Sequence, residues 1–100
     1  MRTKDGKIGV LSRKLSLFTD PVRLKLFLFL FNPKQDDLCV SDIAEYLGSS
    51  LSNVSHQLRK LELAGVVEPK REGRMICYRI RTTKENQILY NSLYKLMRLE

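Results

Sequence analysis

The chain has little of what membrane insertion, secretion or a disulfide-rich fold would require. Its most apolar stretch, LKLFLFLF at residues 24–31, is far shorter than the roughly 18 apolar residues of a membrane span. No apolar segment directly follows the basic start MRTKDGKIGV, so no secretory signal is expected. Two cysteines in 100 residues do not imply a disulfide framework. A reducing, cytoplasmic location without membrane association is therefore expected.

Acidic residues are also scarce relative to basic ones. Eleven Asp and Glu stand against eighteen Lys and Arg, which gives a formal net charge of +7 at pH 7. A charge of this size on a small domain favours anionic partners such as nucleic acid. The length of 100 residues and the hydrophobic share of 43% indicate one small globular domain.

The residue sets that catalysis commonly needs are missing. The single histidine, His56, follows Ser55 directly, but neighbouring residues on a helix point about 100° apart. No nearby acidic residue is placed to orient the imidazole, and no glycine-rich phosphate loop is present. The sequence therefore does not predict an enzyme.

The N-terminal part of the chain is expected to contain an arm followed by helices. Residues 1–9 are predicted to form a flexible arm, since Gly6 and Gly9 lie among charged residues, and residues 10–100 a single domain. Apolar residues at helical spacing predict a helix from Val10 onward. Those residues are Leu11, Leu15 and Phe18.

Capping residues mark the next two helices. Asp20 precedes Pro21, a pairing typical of a helix start, and predicts a helix over residues 21–31. Leu38 and Val40 indicate an extended segment after this helix. Ser41 is expected to cap the short amphipathic helix that follows and ends at Gly48.

The segment SLSNVSHQLRKLELAG at residues 50–65 predicts a helix over about 51–64 with Ser50 as its N-cap. Apolar residues recur in it at steps of three and four and are expected to form a buried stripe; they are Leu51, Val54, Leu58 and Leu61. The polar residues between them are expected to face outward; they include Ser52, Asn53, His56, Gln57 and Arg59.

After Gly65 the pattern changes to an alternation typical of strands. It predicts a two-stranded antiparallel ribbon over about 66–81 that turns at Glu72-Gly73. The basic residues on or near this ribbon include Lys70, Arg71, Arg74 and Arg79. A final helix is expected over about 84–98 with Thr83 as its cap.

These elements are mostly α-helical with a small β-hairpin, the arrangement of a winged helix-turn-helix. The tight turn GSS at residues 48–50 leaves the start of the second helix projecting, and a major groove admits one helix. The candidates for hydrogen bonds to base edges are Ser52, Asn53, His56 and Gln57. The candidates for phosphate contacts are Arg59, Lys60 and the hydroxyl of Ser49 or Ser50, with Arg71 and Arg74 on the wing contacting phosphate or the minor groove.

Three motifs in this region resemble those of a known family. They are Val54-Ser55-His56-Gln57-Leu58, Leu63-Ala64-Gly65-Val66-Val67, and Arg71-Glu72-Gly73-Arg74 with Tyr78. Residues 41–80 closely resemble the core of the ArsR/SmtB family of small winged-helix repressors. The resemblance implies a homodimeric transcriptional repressor whose two recognition helices enter successive major grooves of a palindromic operator in double-stranded DNA.

The same resemblance implies that the first and last helices pack across a two-fold axis. The residues expected at this dimer interface are Leu11, Leu15, Phe18, Tyr90, Leu93, Tyr94 and Met97. The alternative is that these side chains all belong to the intramolecular core.

The metal sites of the family are incomplete in this sequence. Residues 37–43, DLCVSDI, resemble the family's ELCVCDL site, but Ser41 replaces the second thiolate and the N-terminal arm holds no cysteine. A hydroxyl is a poor ligand for a soft metal. The family's other site needs a histidine on the final helix, and residues 84–100 contain none. We therefore expect no metal and no other cofactor.

Two interpretations of the cysteines remain open. Cys39 and Cys77 are either separate buried apolar residues or a redox pair, which requires that they lie within bridging distance. The alternation places Cys77 on the strand face opposite Ile76 and Tyr78. Besides a thiol-responsive repressor, a winged-helix protein-interaction or architectural module is an alternative function.

Overall fold

The computed structural model describes residues 2–31 and 38–99, with side chains from residue 5 onward. The elements in chain order are α1 (Arg2–Ser16), a 3₁₀ turn (Leu17–Thr19), α2 (Pro21–Leu30), β1 (Leu38–Cys39), α3 (Val40–Leu47), α4 (Leu51–Leu63), β2 (Val67–Glu72), β3 (Met75–Ile80) and α5 (Lys84–Met97). This is a winged helix-turn-helix, so the predicted fold class is confirmed. No helix in these two ranges is long and apolar enough to cross a bilayer.

Three helices begin at the caps that the sequence predicts. At α2, Oδ1 of Asp20 accepts the backbone N–H groups of Val22 at 2.8 Å and Arg23 at 3.3 Å. At α4 and α5 the same role falls to the hydroxyls of Ser50 and Thr83. Each cap satisfies backbone donors that have no partner within the helix.

The flexible arm expected over residues 1–9 is helical from its second residue, so that prediction is wrong. Gly6 and Gly9 each cost a helix only about 1 kcal/mol relative to alanine, and the lysine and arginine residues around them are good helix formers. An ion pair joins the C-terminal half of α1 to α5, with Nζ of Lys14 lying 3.2 Å from Oε2 of Glu85.

Helix α3 begins two residues earlier than expected, because its N-cap is Cys39 rather than Ser41. The extended entry that Leu38 and Val40 indicate in the sequence is present, but it ends at Cys39 as a strand of two residues, β1. So short a strand carries no periodic signal that would reveal its pairing. β1 pairs antiparallel with β3, with Leu38 opposite Tyr78 and Cys39 opposite Cys77.

The hairpin of β2 and β3 is confirmed and forms the wing. The strands pair antiparallel from Val67 opposite Ile80 to Glu72 opposite Met75, and the sheet order is β1-β3-β2. The turn between them requires a left-handed backbone at Gly73, where φ is +63°, a conformation that glycine adopts without a steric penalty.

The core lies between the helices and the inner face of the sheet. Val54, Leu58 and Leu61 of α4 are fully buried, as the stripe predicts. Leu51 is 57% exposed, because the first turn of α4 extends beyond the core, so its predicted burial is wrong. The other main contributors are Leu26, Phe27, Ile43, Val66 and Val67.

Candidate nucleic-acid interface

The turn between α3 and α4 determines how α4 is presented. Gly48 ends α3 in the left-handed conformation, with φ at +64°, and the N–H of Ser49 bonds back to the carbonyl of Ala44 at 3.0 Å. This bonding satisfies carbonyls at the end of α3. Since α4 begins at Leu51, so short a turn leaves the N-terminal part of α4 projecting from the domain.

The outer face of α4 is polar over its first two turns. Oγ of Ser50 caps the helix, and Nδ2 of Asn53 donates to Oγ of Ser49 at 2.8 Å. This local bond holds the Asn53 side chain at the tip of the helix. The exposed side chains of this face are Ser52, Asn53, Ser55, His56, Arg59 and Lys60.

Gln57 does not lie on this exposed face, although the sequence analysis places it among the base-contacting residues. Its side chain is only 9% exposed, and its Oε1 accepts a hydrogen bond from Nη1 of Arg23 at 2.8 Å. The helical wheel brings it close to the buried stripe, since Val54 and Leu61 lie three residues before and four after it. Gln57 is therefore a packing residue between α4 and α2.

The sequence analysis missed Arg23, which anchors this contact. Its Nε donates to the carbonyl of Leu17 at 2.7 Å, and its Nη1 lies 3.7 Å from Oδ2 of Asp20. Arg23 thus joins the 3₁₀ turn, the start of α2 and helix α4. A part-buried polar pair separated by 34 residues leaves no local pattern in the sequence.

The wing carries basic side chains beside α4. Arg71 and Arg74 are exposed, and in the described ranges neither forms an ion pair. Arg79 differs, since its Nε lies 2.8 Å from Oε1 of Glu68. The tip of the wing therefore offers its positive charge to solvent, while the charge near its base is partly balanced.

A side-chain contact connects the wing with α4. The hydroxyl of Tyr78 in β3 donates to Oε1 of Glu62 in α4 at 3.2 Å. Burial raises the pKa of the Tyr78 hydroxyl above 10.0, and the neighbouring Glu62 carboxylate raises it further, while Arg59 opposes the shift. The hydroxyl therefore stays protonated at neutral pH and remains a donor.

The two cysteines are joined in a disulfide between β1 and β3. The interpretation of Cys39 and Cys77 as two separate buried thiols is therefore wrong, while the alternative of a redox pair gains the contact it requires. The face assigned to Cys77 by alternation is consistent with this, since Tyr78 contributes to the core cluster and Cys77 faces Cys39.

Helices α1 and α5 leave an apolar surface uncovered. An open groove of about 790 Å³ lies between them and is lined by residues including Val10, Leu11, Leu15, Ile88 and Leu89. Of the predicted interface residues, Leu11, Leu15, Tyr94 and Met97 are exposed, and Tyr90 and Leu93 are half-buried. Phe18 is 8% exposed and belongs to the core cluster, because the 3₁₀ turn directs it against the ring of Phe27 at 4.9 Å. Its assignment to the interface is therefore wrong.

Comparison with known proteins identifies the family. The family model described as bacterial regulatory protein, arsR family, matches residues 20–69, from the cap of α2 into β2. The cadmium resistance transcriptional regulatory protein CadC of Listeria innocua is 35% identical over 68 residues, which are 68% of this chain and 56% of CadC. The chain thus spans little more than half the length of that relative.

Two solved structures share the fold over most of the chain. The transcriptional repressor BigR from Xylella fastidiosa superposes with a TM-score of 0.79 at 27% identity, covering 95% of this chain and 90% of BigR. The homodimeric winged helix-turn-helix DNA-binding domain of a possible ArsR-family regulator from Mycobacterium bovis superposes with a TM-score of 0.76 at 26% identity, covering 94% and 83%. Since the family model matches the helix-turn-helix itself, the chain belongs to the arsR family of bacterial regulatory proteins.

Proposed function

We propose that this protein is a homodimeric, non-enzymatic repressor of transcription that binds a palindromic operator in double-stranded DNA. The observation that carries the proposal is the exposed polar face of α4 beside a wing whose tip bears Arg71 and Arg74. Relatives named as transcriptional regulators and a DNA-binding domain of the same fold support it. A regulator that acts on bacterial DNA works in the cytoplasm, which is the location we infer.

The proposed DNA contacts of α4 and the wing divide into two sets by their position. Ser52, Asn53 and His56 lie on the first turns and offer hydrogen-bond donors and acceptors for base edges in the major groove. The phosphate contacts fall to Ser50, Arg59, Lys60, Arg71 and Arg74, with the two wing residues reaching phosphate or the minor groove. Gln57 is omitted from the first set because of its bond to Arg23.

The dimer in this proposal uses the apolar surface of α1 and α5. Exposed aliphatic side chains such as Leu11 and Leu15 favour association, because their removal from water by a second copy lowers the free energy of the dimer. The homodimeric relative from Mycobacterium bovis supports this arrangement. A two-fold dimer presents two α4 helices to half-sites about one helical turn apart.

Selection of bound duplexes from a random DNA pool, repeated at two salt concentrations, tests the proposal. We expect recovery of a palindrome whose half-site centres lie about one helical turn, roughly 34 Å, apart. Binding that is indifferent to sequence and weakens steeply with salt would show that the protein makes only sequence-independent contacts to phosphate. The protein would then be an architectural or protein-interaction module.

A second candidate function is repression that responds to thiol redox state. The observation that favours it is the disulfide between Cys39 and Cys77, which joins the start of α3 to the wing strand β3. Titration of the selected duplex with oxidised and reduced protein tests this candidate, with Cys39→Ser as the control. Equal affinities of the oxidised and reduced forms would rule it out.

A further inference from the structure

We propose that Cys39, Cys77 and Glu72, once the disulfide is reduced, bind one thiophilic divalent cation of the Zn²⁺ or Cd²⁺ type. The three side chains come from β1, β2 and β3 and lie on one face of the wing sheet. Their ligand atoms all lie within 4.8 Å of one another. The inference rests on this geometry and does not depend on DNA binding.

The sheet register brings the three side chains together. Cys39 and Lys70 lie directly opposite Cys77 on its two neighbouring strands, so all three side chains belong to one row of the sheet. Glu72 follows two residues after Lys70 and therefore points to the same face. Its Oε2 lies 3.9 Å from Sγ of Cys77, so the carboxylate is already beside the sulfur atoms.

The donor set suits a borderline or soft metal ion. Zinc binds thiolate sulfur at about 2.3 Å and carboxylate oxygen at about 2.0–2.2 Å in tetrahedral geometry, which places two bound sulfur atoms about 3.8 Å apart. The proposal requires the two cysteine side chains to rotate to this separation after reduction. A solvent molecule completes four-coordination on the exposed side, where Glu72 lies.

The charge around the site is consistent with a bound cation and three anionic ligands. Two thiolates and one carboxylate leave a net charge of −1 around a divalent ion. Nζ of Lys70 lies 3.8 Å from Oε1 of Glu72, on the carboxylate oxygen that does not face Cys77. This ammonium balances the remaining charge and leaves Oε2 directed towards the sulfur atoms.

Oxidation state decides whether the site exists. In the disulfide the sulfur atoms are bonded to each other and are weak ligands, because the thiolate is the form that binds metal. A dithiol reductant transfers two electrons and two protons to the disulfide, which yields two thiols and the oxidised reductant. The divalent cation then displaces both thiol protons as the two metal–sulfur bonds form. The disulfide and the metal complex are thus mutually exclusive states of the same three residues.

Cadmium titration of the full chain tests the proposal directly. The protein is reduced with a phosphine, the reductant is removed under argon, and Cd²⁺ is added while the ultraviolet thiolate-to-cadmium charge-transfer absorption is recorded. We expect saturation at one Cd²⁺ per chain for the reduced protein and no such absorption for protein oxidised with diamide. Zn²⁺ should displace Cd²⁺ in competition.

Single substitutions identify the ligands. Cys39→Ser should abolish the saturable absorption, and its half-buried position keeps the core intact, as circular dichroism can verify. Glu72→Gln should weaken Cd²⁺ binding at least about tenfold, since even indirect partners of a metal ligand are worth this much. Glu68→Gln is the matched control, a carboxylate of the same strand that pairs with Arg79 instead, and should bind as the wild type does.

Two results would overturn the proposal. One is reduced wild-type protein that binds Cd²⁺ no more tightly than Cys39→Ser. The other is a Glu72→Gln protein with wild-type affinity, since the site would then be a bare dithiol. Neither readout involves DNA, so failure here is distinguishable from failure of the proposed repressor function.

Discussion

At the scale of single residues, the contact between Arg23 and Gln57 illustrates how a part-buried polar pair positions a helix. The guanidinium donates to Gln57 on α4 and to the carbonyl of Leu17, and Asp20 lies close to it. Because the pair is largely removed from water, Oε1 of Gln57 and Nη1 of Arg23 each depend on this bond in place of a bond to solvent. The contact therefore orients α4 relative to α2. It lies on the inner side of α4, away from the exposed polar face that is proposed to contact DNA.

Replacing Gln57 with alanine should destabilise the fold. The substitution leaves a charged donor without its acceptor, and we expect a loss of about 1.5–3 kcal/mol in the free energy of unfolding, measured by urea denaturation. Ser55→Ala, on the exposed face of the same helix, is the control and should change stability by less than about 0.5 kcal/mol. Equal stability of the two variants would contradict the buried role of Gln57.

Substitutions on the two proposed DNA-contacting surfaces should have different signatures. His56→Ala should cost about 1–3 kcal/mol on the selected operator and relax the preference at one base position. Arg74→Ala should weaken binding to all duplexes alike and flatten the dependence on salt, because it removes one phosphate contact. Fluorescence anisotropy on specific and scrambled duplexes measures both. An identical pattern for the two variants would refute the division into base and phosphate contacts.

At the scale of elements, the bond from Tyr78 to Glu62 connects the wing to α4. Both elements contact the duplex in the proposed complex. Their relative position therefore determines whether α4 can enter the groove while the wing contacts the backbone. The bond lies between β3 and the C-terminal half of α4, away from the exposed polar face. It can therefore be removed without deleting a proposed DNA contact.

Tyr78→Phe should lower the free energy of unfolding by about 1 kcal/mol and change its pH dependence. The pKa of Tyr78 is raised in the folded protein, so its contribution is fully present below the unfolded value near 10 and is lost as the pH rises through the folded value. Urea denaturation between neutral and alkaline pH should show a smaller decline for Tyr78→Phe than for the wild type. Parallel declines would contradict the assignment.

At the scale of the whole molecule, the proposed dimer uses the exposed apolar surface of α1 and α5. Leu11→Asp places a charge in the groove between these helices, and burial of an unpaired charge is costly. We expect the variant to sediment as a monomer at concentrations where the wild type is dimeric. The control is Leu63→Asp, at a leucine that is 79% exposed on α4 and outside the groove. Dimers of equal stability in both variants would show that the interface lies elsewhere.

Local signals predicted most of the elements, whereas contacts distant in sequence were not predictable. The caps Asp20, Ser50 and Thr83 act within three residues of themselves, so the sequence alone reveals them. The inward position of Gln57 depends on Arg23, which lies 34 residues away. The pairing of Cys39 with Cys77 depends on the short strand β1, which has no periodicity of its own. The flexible arm predicted over residues 1–9 is helical instead, because the free-energy cost of Gly6 and Gly9 in a helix is small.

Sensitivity of DNA binding to half-site spacing tests the central claim most directly, because it requires a dimer, groove insertion and sequence recognition together. The measurement compares anisotropy titrations of the selected palindrome with the same half-sites moved apart by about five base pairs, half a helical turn. The proposed function predicts an affinity loss of at least about 100-fold, since the half-sites then lie on opposite faces of the duplex. Equal affinity for both duplexes would contradict recognition by a two-fold dimer.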